Sequence, residues 1–453
     1  MAASDSPDDI RQWLIARSID DIECIIPDMA AIGRGKSLPR RQFLDSLKTG
    51  DLWIPESVLA VTVHGEIIFN PHIAETERDL RMVPDLATLR PTPWQADPTA
   101  SVLCDLVHDD GTPASFAPRQ LLRHVVALYE ERGWRPIVAP EFEFFLIAKF
   151  ASSVESPRPP TGRSGRQEFG QEPYSIDGVD EFGPLFDRLY AYCEDQKIDI
   201  ATIIQEEGAA QYEINMTHGP ALGVADQSFL FKRLVRQVAM QHNMFASFMA
   251  KPYPEDVGSA MHIHQSVVDA KTGRNVFSEA DGTDTELFRH HIGGLQTYLP
   301  QAFPLMAPYV NSYRRFVSGM SAPTNVRWGR ENRTVGLRVP RSGPEGRRIE
   351  NRLAGSDVNP YLAIAASLAC GLLGMIEKIE PSPETTGKGY EEESESLPRH
   401  YLEGLRQLER CKPLRALLGD AFIDIFVSLK KAEYLDYSSV LSPWEMRHLM
   451  VTV

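Results

Sequence analysis

The chain has 453 residues, 43% of them hydrophobic, enough to bury a large core and to divide into two domains or more. Its formal net charge of -15 and pI near 5.3 argue against a nucleic-acid backbone as a general partner. Five scattered cysteines (Cys24, Cys104, Cys193, Cys370 and Cys411) with no Cys-x-x-Cys argue for reduced thiols and a cytoplasmic home.

In chain order, the opening MAASDSPDDI is acidic, lacks an apolar core and is no signal peptide. A helix is expected over Ile10–Ser18, followed by β-like runs IECIIPD and VLAVTVHGEIIF with turns between them. The intervening GRGKS (33–37) resembles a phosphate loop. The first glycine of that pattern falls on Ala30, however, and Pro39 with two arginines follows where an apolar helix should begin, so no P-loop is predicted. A Pro-rich stretch, RPTPWQADPTA, precedes a predicted strand, SVLCDLV. RQLLRHVVALYEERG then has apolar residues at helical spacing, with Pro118 suited to its first turn. A domain boundary is placed near residue 113, dividing 1–113 from 114–453. Residues 151–170 and 381–398 read as surface loops, the second preceding a C-terminal helical region. The longest apolar run, Tyr361–Ile376, is too short and too interrupted by glycine to span a bilayer and suits a buried helix; nothing calls for a membrane.

Four distant segments place charged or metal-binding residues where buried strands are expected. In Glu141-Phe-Glu143-Phe-Phe the two glutamates share a strand face, roughly 6.6 Å apart, while Phe142 and Phe144 face apolar packing. Carboxylates that close, on so hydrophobic a segment, are costly to desolvate unless cations hold them. Glu206 and Glu213 in EEGAAQYEIN, His262-Ile-His264, and Arg348-Ile-Glu350-Asn-Arg352 complete the set. Each has an ordinary alternative: an exposed strand face, a turn, or satisfied core histidines. Together they form a largely oxygen donor set with imidazole, which suits Mg²⁺ or Mn²⁺ better than structural zinc. Ten arginines between Arg314 and Arg352 add planar forks of donors of the kind that carboxylates and phosphates select. That combination is the equipment of phosphoryl transfer.

The ordered series EFEF, EEGAAQYEIN, GSAMHIHQS, NSYRRF, ENRTVGLRVP and RRIENRLAGSDVNPYLAIAASL resembles the glutamine synthetase family over nearly the whole chain, most closely its γ-glutamylpolyamine synthetase branch. The resemblance implies an α+β fold: a small N-terminal β-grasp-like domain, then a catalytic domain with a curved, mainly antiparallel sheet and flanking helices. It implies homo-oligomers, usually dodecamers of two hexameric rings with sites between neighbours. It implies an ATP-dependent ligase joining the γ-carboxylate of L-glutamate to an amine, using two or more Mg²⁺ or Mn²⁺ ions. By that resemblance Glu143, Glu206 and Glu213 hold one metal, and Glu141, His262 and Glu350 a second. His264, Arg333 and Arg348 serve ATP, and Gly258 borders the glutamate. Arg315 clamps the glutamate carboxylate, with Arg338 and Arg352 near its γ-carboxyl and the phosphate.

The departures concern the acceptor. Ammonia-using relatives carry a flap glutamate six residues beyond the clamping arginine; here that place is Ser321. Ile54-Pro-Glu56-Ser57 stands where an acidic ammonium-pocket loop is expected, and Val257 stands where an asparagine is expected just before Gly258. An ammonium pocket stripped of carboxylates implies an organic amine, putrescine or spermidine favoured, with Glu56 a candidate for a distal ammonium. The alternatives are a glutamine synthetase using ammonium, γ-glutamylation of a monoamine, and a non-catalytic glutamate- or nucleotide-binding homologue. Tyr390, near where some relatives are adenylylated, reads as an ordinary exposed tyrosine.

Overall fold

In the computed structural model the strands gather into two sheets, one on each side of the predicted boundary. Residues 7–150, 156–170, 172–317, 321–390 and 397–453 are described; the opening MAASDS, the start of the 151–170 loop and the acidic part of the 381–398 loop lie outside them. The N-terminal sheet contains β1 (Asp21–Pro27), β2 (Gly33–Pro39), β3 (Trp53–Pro55), β4 (Asp79–Pro84), β5 (Arg90–Pro91) and β6 (Thr99–Val107). Its order is β2-β1-β6-β4-β3, with β5 on β6, and only the β1–β6 pair is parallel. Helices Pro7–Ala16 and Arg40–Thr49 accompany this sheet.

GRGKS forms most of β2. Its second glycine answers to strand pairing rather than to phosphate: a Cβ on Gly35 would lie 1.9 Å from the Cys24 carbonyl oxygen. VLAVTVHGEIIF is not the strand its alternation suggests. Glu56–Ala60 is a 3₁₀ turn entered from Pro55, whose fixed φ favours a helical start, and beyond it only the single bridge Val61–Ile67 forms around Gly65.

The second sheet holds β7 (Trp134–Ala148), β8 (Ile200–Gln205), β9 (Gln211–Met216), β10 (Gly219–Pro220), β11 (Met244–Ser247), β12 (Met261–Asp269), β13 (Trp328–Arg330), β14 (Leu337–Val339) and β15 (Ile349–Asn351). Its order is β13-β14-β15-β12-β7-β9-β8, with β10 and β11 also on β7. Fifteen residues long, β7 is the axis of this sheet. One of its faces is aromatic: Phe142 packs on Phe231 and Phe248, and Phe144 on Tyr212 and Phe248. The other carries the glutamates. Helix Pro360–Glu377, long and apolar enough to cross a membrane, is instead the buried core helix expected of Tyr361–Ile376. It packs on helices Glu286–Met306 and Pro118–Glu130. Asn359 caps its N-terminus by accepting from the Tyr361 and Leu362 amides.

One buried arginine ties the N-terminal sheet to helix Ala221–Gln241. Arg119 donates to Asp226 on helix Ala221–Gln241 at 2.8 and 2.9 Å, to Asp105 of β6 at 2.5 Å, and to Asp85 after β4 at 2.6 Å. The Tyr361 hydroxyl adds another donor to this cluster, 2.7 Å from Asp226.

Candidate active site

Strand register assembles the acidic residues. Across β7 and β9, Glu143 faces Glu213; across β7 and β12, Glu141 faces His262. On the far side of β12, Glu350 of β15 stands opposite His264, and Arg338 of β14 opposite Glu350. Neighbouring strands lie about 4.8 Å apart, so these pairings put ligand-type side chains in rows on one sheet face.

Two donor groups result. Ligand atoms of Glu141, His262 and Glu350 lie within 4.8 Å of one another, and so do those of Glu143, Glu213 and His262. The first group has the composition the family resemblance implies. The second differs from it, because His262 occupies the place given to Glu206. Glu206 lines the same cavity and its charge acts on Glu143 and Glu213.

Electrostatics separates carboxylates whose neighbours outweigh burial from those in which burial prevails. Burial works to raise Glu350, but the charges of Arg352, His262 and His264 outweigh it and hold the carboxyl at about 2. Arg352 reaches Glu350 at 2.5 Å and Arg338 at 2.8 Å. Burial also opposes ionisation of Glu141, yet hydrogen bonds from His262 and His264 keep it well below the usual carboxylate range. Burial lowers His262 to about 4, with Arg352 adding to the effect, so its imidazole is neutral and able to ligate. Glu143 and Glu213 are the opposite case. Burial first, and neighbouring glutamates second, push them up to about 8 and about 9. Two buried acids that cannot ionise together beside a neutral imidazole fit divalent cations, which would supply the missing positive charge.

That arrangement has a pH signature. Both folded values lie above the ordinary 4.5, so the stability these groups contribute is complete below about 4.5 and is lost as pH rises towards 8–9. A cation must displace their protons, so its hold strengthens over the same window. Adding magnesium chloride to chelator-treated protein is expected to raise the melting temperature more at pH 9 than at pH 6.5; equal increments at both would contradict the assignment.

The acidic cavity, roughly 540 Å³, is also lined by Arg315, Arg333, Arg338 and Arg352, with Gly258, Val257 and Ser321. Arg315 is 3% exposed and anchored by the carbonyls of Arg352 and Leu353 at 2.9 and 3.2 Å. Gly258 lets it pass: a Cβ there would lie 2.6 Å from the Arg315 Cγ. Arg348 and His264 face elsewhere, into a second cavity of roughly 440 Å³ that shares Glu141 with the first. Arg348 Nε donates to His264 Nδ1 at 3.1 Å, and His264 Nε2 lies 2.8 Å from Glu141. With Nδ1 accepting, Nε2 carries the proton and gives it to the carboxylate. Arg348, Glu350 and Arg352 alternate in sequence, yet Arg348 lines a different cavity from the other two, because β15 spans only Ile349–Asn351.

Several residues take places the sequence did not suggest. Glu56 is fully buried, 3.3 Å from Arg78 in the N-terminal sheet, and does not line the acidic cavity of its own chain. Tyr390 is not simply exposed: it lines that cavity, and its hydroxyl donates to the Ala322 carbonyl at 3.3 Å. A further carboxylate stands beside Ser321, whose hydroxyl donates to Glu207 Oε2 at 3.0 Å. Gln211 braces the turn before β9, donating to the Gly258 carbonyl and accepting from the Gly208 amide. Asn215, opposite Glu141, donates to it at 3.4 Å. The adjacent acid in EEGAAQYEIN was a visible signal for Glu207; Tyr390 offered none.

Comparison with known proteins agrees with this geometry. The family described as glutamine synthetase, catalytic domain, matches residues 115–449. Gamma-glutamylputrescine synthetase PuuA of Escherichia coli (strain K12) is 34% identical over 436 residues, covering 95% of this chain and 91% of that protein. Glutamate--isopropylamine ligase of a Pseudomonas species is 30% identical over 450 residues, covering 96% of each. Among solved structures, apo GmaS without ligand superposes with a TM-score of 0.83 at 27% identity, covering 97% of this chain and 98% of that one. A row of paired acids and imidazole walled by arginines, on a scaffold shared along nearly the full length of such relatives, leaves one conclusion: the chain belongs to the glutamine synthetase family.

Proposed function

We propose that the protein is an ATP-dependent ligase that joins the γ-carboxylate of L-glutamate to an organic amine, with a polyamine such as putrescine favoured. The observation that carries this reading is the single cavity in which two acid-and-imidazole donor groups meet four arginines, together with relatives named for glutamate–amine ligation. A carboxylate oxygen is too poor a leaving group to be displaced by an amine. The γ-carboxylate of glutamate therefore attacks the γ-phosphorus of ATP, releasing ADP and forming γ-glutamyl phosphate. The amine lone pair then attacks the acyl carbon, the C–O bond breaks and phosphate leaves with its electron pair, and the nitrogen's surplus proton passes to that phosphate or to water, leaving a γ-glutamyl amide.

Two divalent ions, Mg²⁺ or Mn²⁺, would be held by Glu141, His262 and Glu350 and by Glu143 and Glu213 with Glu206 beside them, supplying charge neutralisation for the transferred phosphoryl group. The chain's own part is orientation. Arg315 binds the glutamate carboxylate, Gly258 leaves it room, and Arg338 and Arg352 stabilise charge near the reacting carboxyl. Arg333 in the acidic cavity, with Arg348 and His264 in the adjoining one, serve the nucleotide phosphates. Ser321 borders the incoming amine. The family resemblance supports a homo-oligomer of two hexameric rings, and five buried, unpaired thiols suit the cytoplasm.

Phosphate release tests the reading, with ATP, Mg²⁺ and glutamate supplied and ammonium, putrescine, spermidine, ethanolamine and isopropylamine compared as acceptors. Turnover with organic amines well above that with ammonium is expected, with the γ-glutamyl amide found by mass. Turnover with ammonium alone would make the protein a glutamine synthetase, and silence across the panel would sink the ligase reading. Light scattering on the same preparation tests for the twelve-fold mass.

A further inference from the structure

The acidic cavity is polarised in a way that the metal-ligand and arginine assignments leave unexplained. Arg315, Arg333, Arg338 and Arg352 make one wall suited to anions. The same cavity carries an acid to which those assignments give no task. Glu207 is half-buried, hydrogen-bonded to the Ser321 hydroxyl at 3.0 Å, and among the described residues no ion pair neutralises it. It stands near two aromatic rings of the same rim, Tyr174 and Tyr390. Burial raises the Tyr390 phenol pKa, the Arg352 and Arg315 charges oppose it, and the Glu207 charge adds to the rise. Val257 and Ala322 add apolar surface to the same cavity.

A carboxylate sharing a cavity with tyrosines and small apolar side chains is the equipment for an alkylammonium: charge-assisted hydrogen bonds for the N–H groups, and aromatic and methyl-sized surface for the cation and its carbon chain. The turn that presents Glu207 is fixed from several sides. Gly208 lies against the Phe145 ring, where a Cβ would approach to 2.6 Å, Ala209 donates to Asp256 at 3.1 Å, and Gln211 holds Gly208. Such bracing pre-organises the acid.

We infer that Glu207, with Ser321 and the Tyr174–Tyr390 rim, forms the binding subsite for the protonated amine acceptor and sets its selectivity for cationic alkylamines. This inference rests on the ligase reading above. The carboxylate serves binding and orientation: it attracts the ammonium form and holds its nitrogen at the rim, and the ammonium gives up one proton to solvent before its lone pair attacks the acyl carbon. Ser321 then has a task of its own, directing one Glu207 oxygen while leaving the other for the ligand.

The test compares ethylamine and putrescine, cationic near neutral pH, with methoxyamine, an uncharged isostere of ethylamine. In Glu207→Gln, KM for both cations is expected to rise about 10-fold or more, while KM for methoxyamine, glutamate and ATP stays within about twofold. Equal rises for methoxyamine and ethylamine would reveal a merely structural role, and no rise for any acceptor would show that the acid is idle; either result overturns the subsite and leaves the ligase reading standing. Adding Ser321→Glu to Glu207→Gln returns a carboxylate to the rim from the other side and is expected to recover much of the ethylamine KM; no recovery would count against charge recognition. If the wild-type protein turns over none of the three acceptors, the ligase reading falls and the subsite with it.

Discussion

Replacing Glu350 with glutamine is expected to reduce amine-dependent ATP turnover by about 100-fold or more. The side chain is 1% exposed and has two kinds of neighbour at once: His262 and Glu141, its companions in a donor group, and the guanidinium groups of Arg338 and Arg352. Glutamine keeps the shape and one oxygen but removes the charge that both arginines balance. Freed of it, they would turn towards Glu141 and Glu143, the carboxylates whose charges already act on Arg352. The same substitution therefore weakens cation binding and misplaces two anion-binding side chains. Steady-state phosphate release, with circular dichroism to verify the fold, decides the matter. A loss under about threefold would remove Glu350 from the reaction.

Arg119→Met is expected to cost about 3–5 kcal/mol of stability without touching any residue of the cavity. Methionine fills much of the volume, but it leaves Asp85, Asp105 and Asp226 facing one another with no buried cation between them. Asp226 fares worst, since it loses both guanidinium contacts and retains only the Tyr361 hydroxyl. Because the cluster joins β4 and β6 to helix Ala221–Gln241, the N-terminal sheet should lose its attachment first. Urea unfolding followed by far-ultraviolet dichroism would show this as a lower midpoint. A change below about 1 kcal/mol would mean that water replaces the arginine adequately.

The site was legible in the sequence where chemistry and period coincide. Glu141-x-Glu143 and His262-x-His264 alternate on strands, and two-residue periodicity fixes their common face whatever the rest of the chain does. The core helix at Tyr361–Ile376 and the proline-started helix at Pro118 were legible for the same reason, a local pattern with a local cause. What escaped depends on partners remote along the chain. The pairing of Glu207 with Ser321 joins positions 114 residues apart, and Tyr390 reaches the cavity from a loop with no periodicity to read. The division of Arg348 from Arg352 follows from the three-residue length of β15, which alternation alone does not specify. VLAVTVHGEIIF misled where GRGKS, rightly refused as a phosphate loop, did not, although both pose one ambiguity: glycine spacing and apolar alternation each have more than one structural use, and strand neighbours decide between them.

The register that aligns the acids also determines when function can appear as the chain folds. His262 and His264 meet Glu141 across 121 and 123 residues, and Asn215 meets it across 74. Closing loops of that size costs entropy before any contact repays it, so strands β7, β12 and β15 come together late. Each donor group spans at least two of those distant strands, which leaves no fragment short of the assembled sheet able to collect cations at this face. Catalytic competence is therefore a property of the finished sheet, and its recovery during refolding is a direct clock for the last strand to dock.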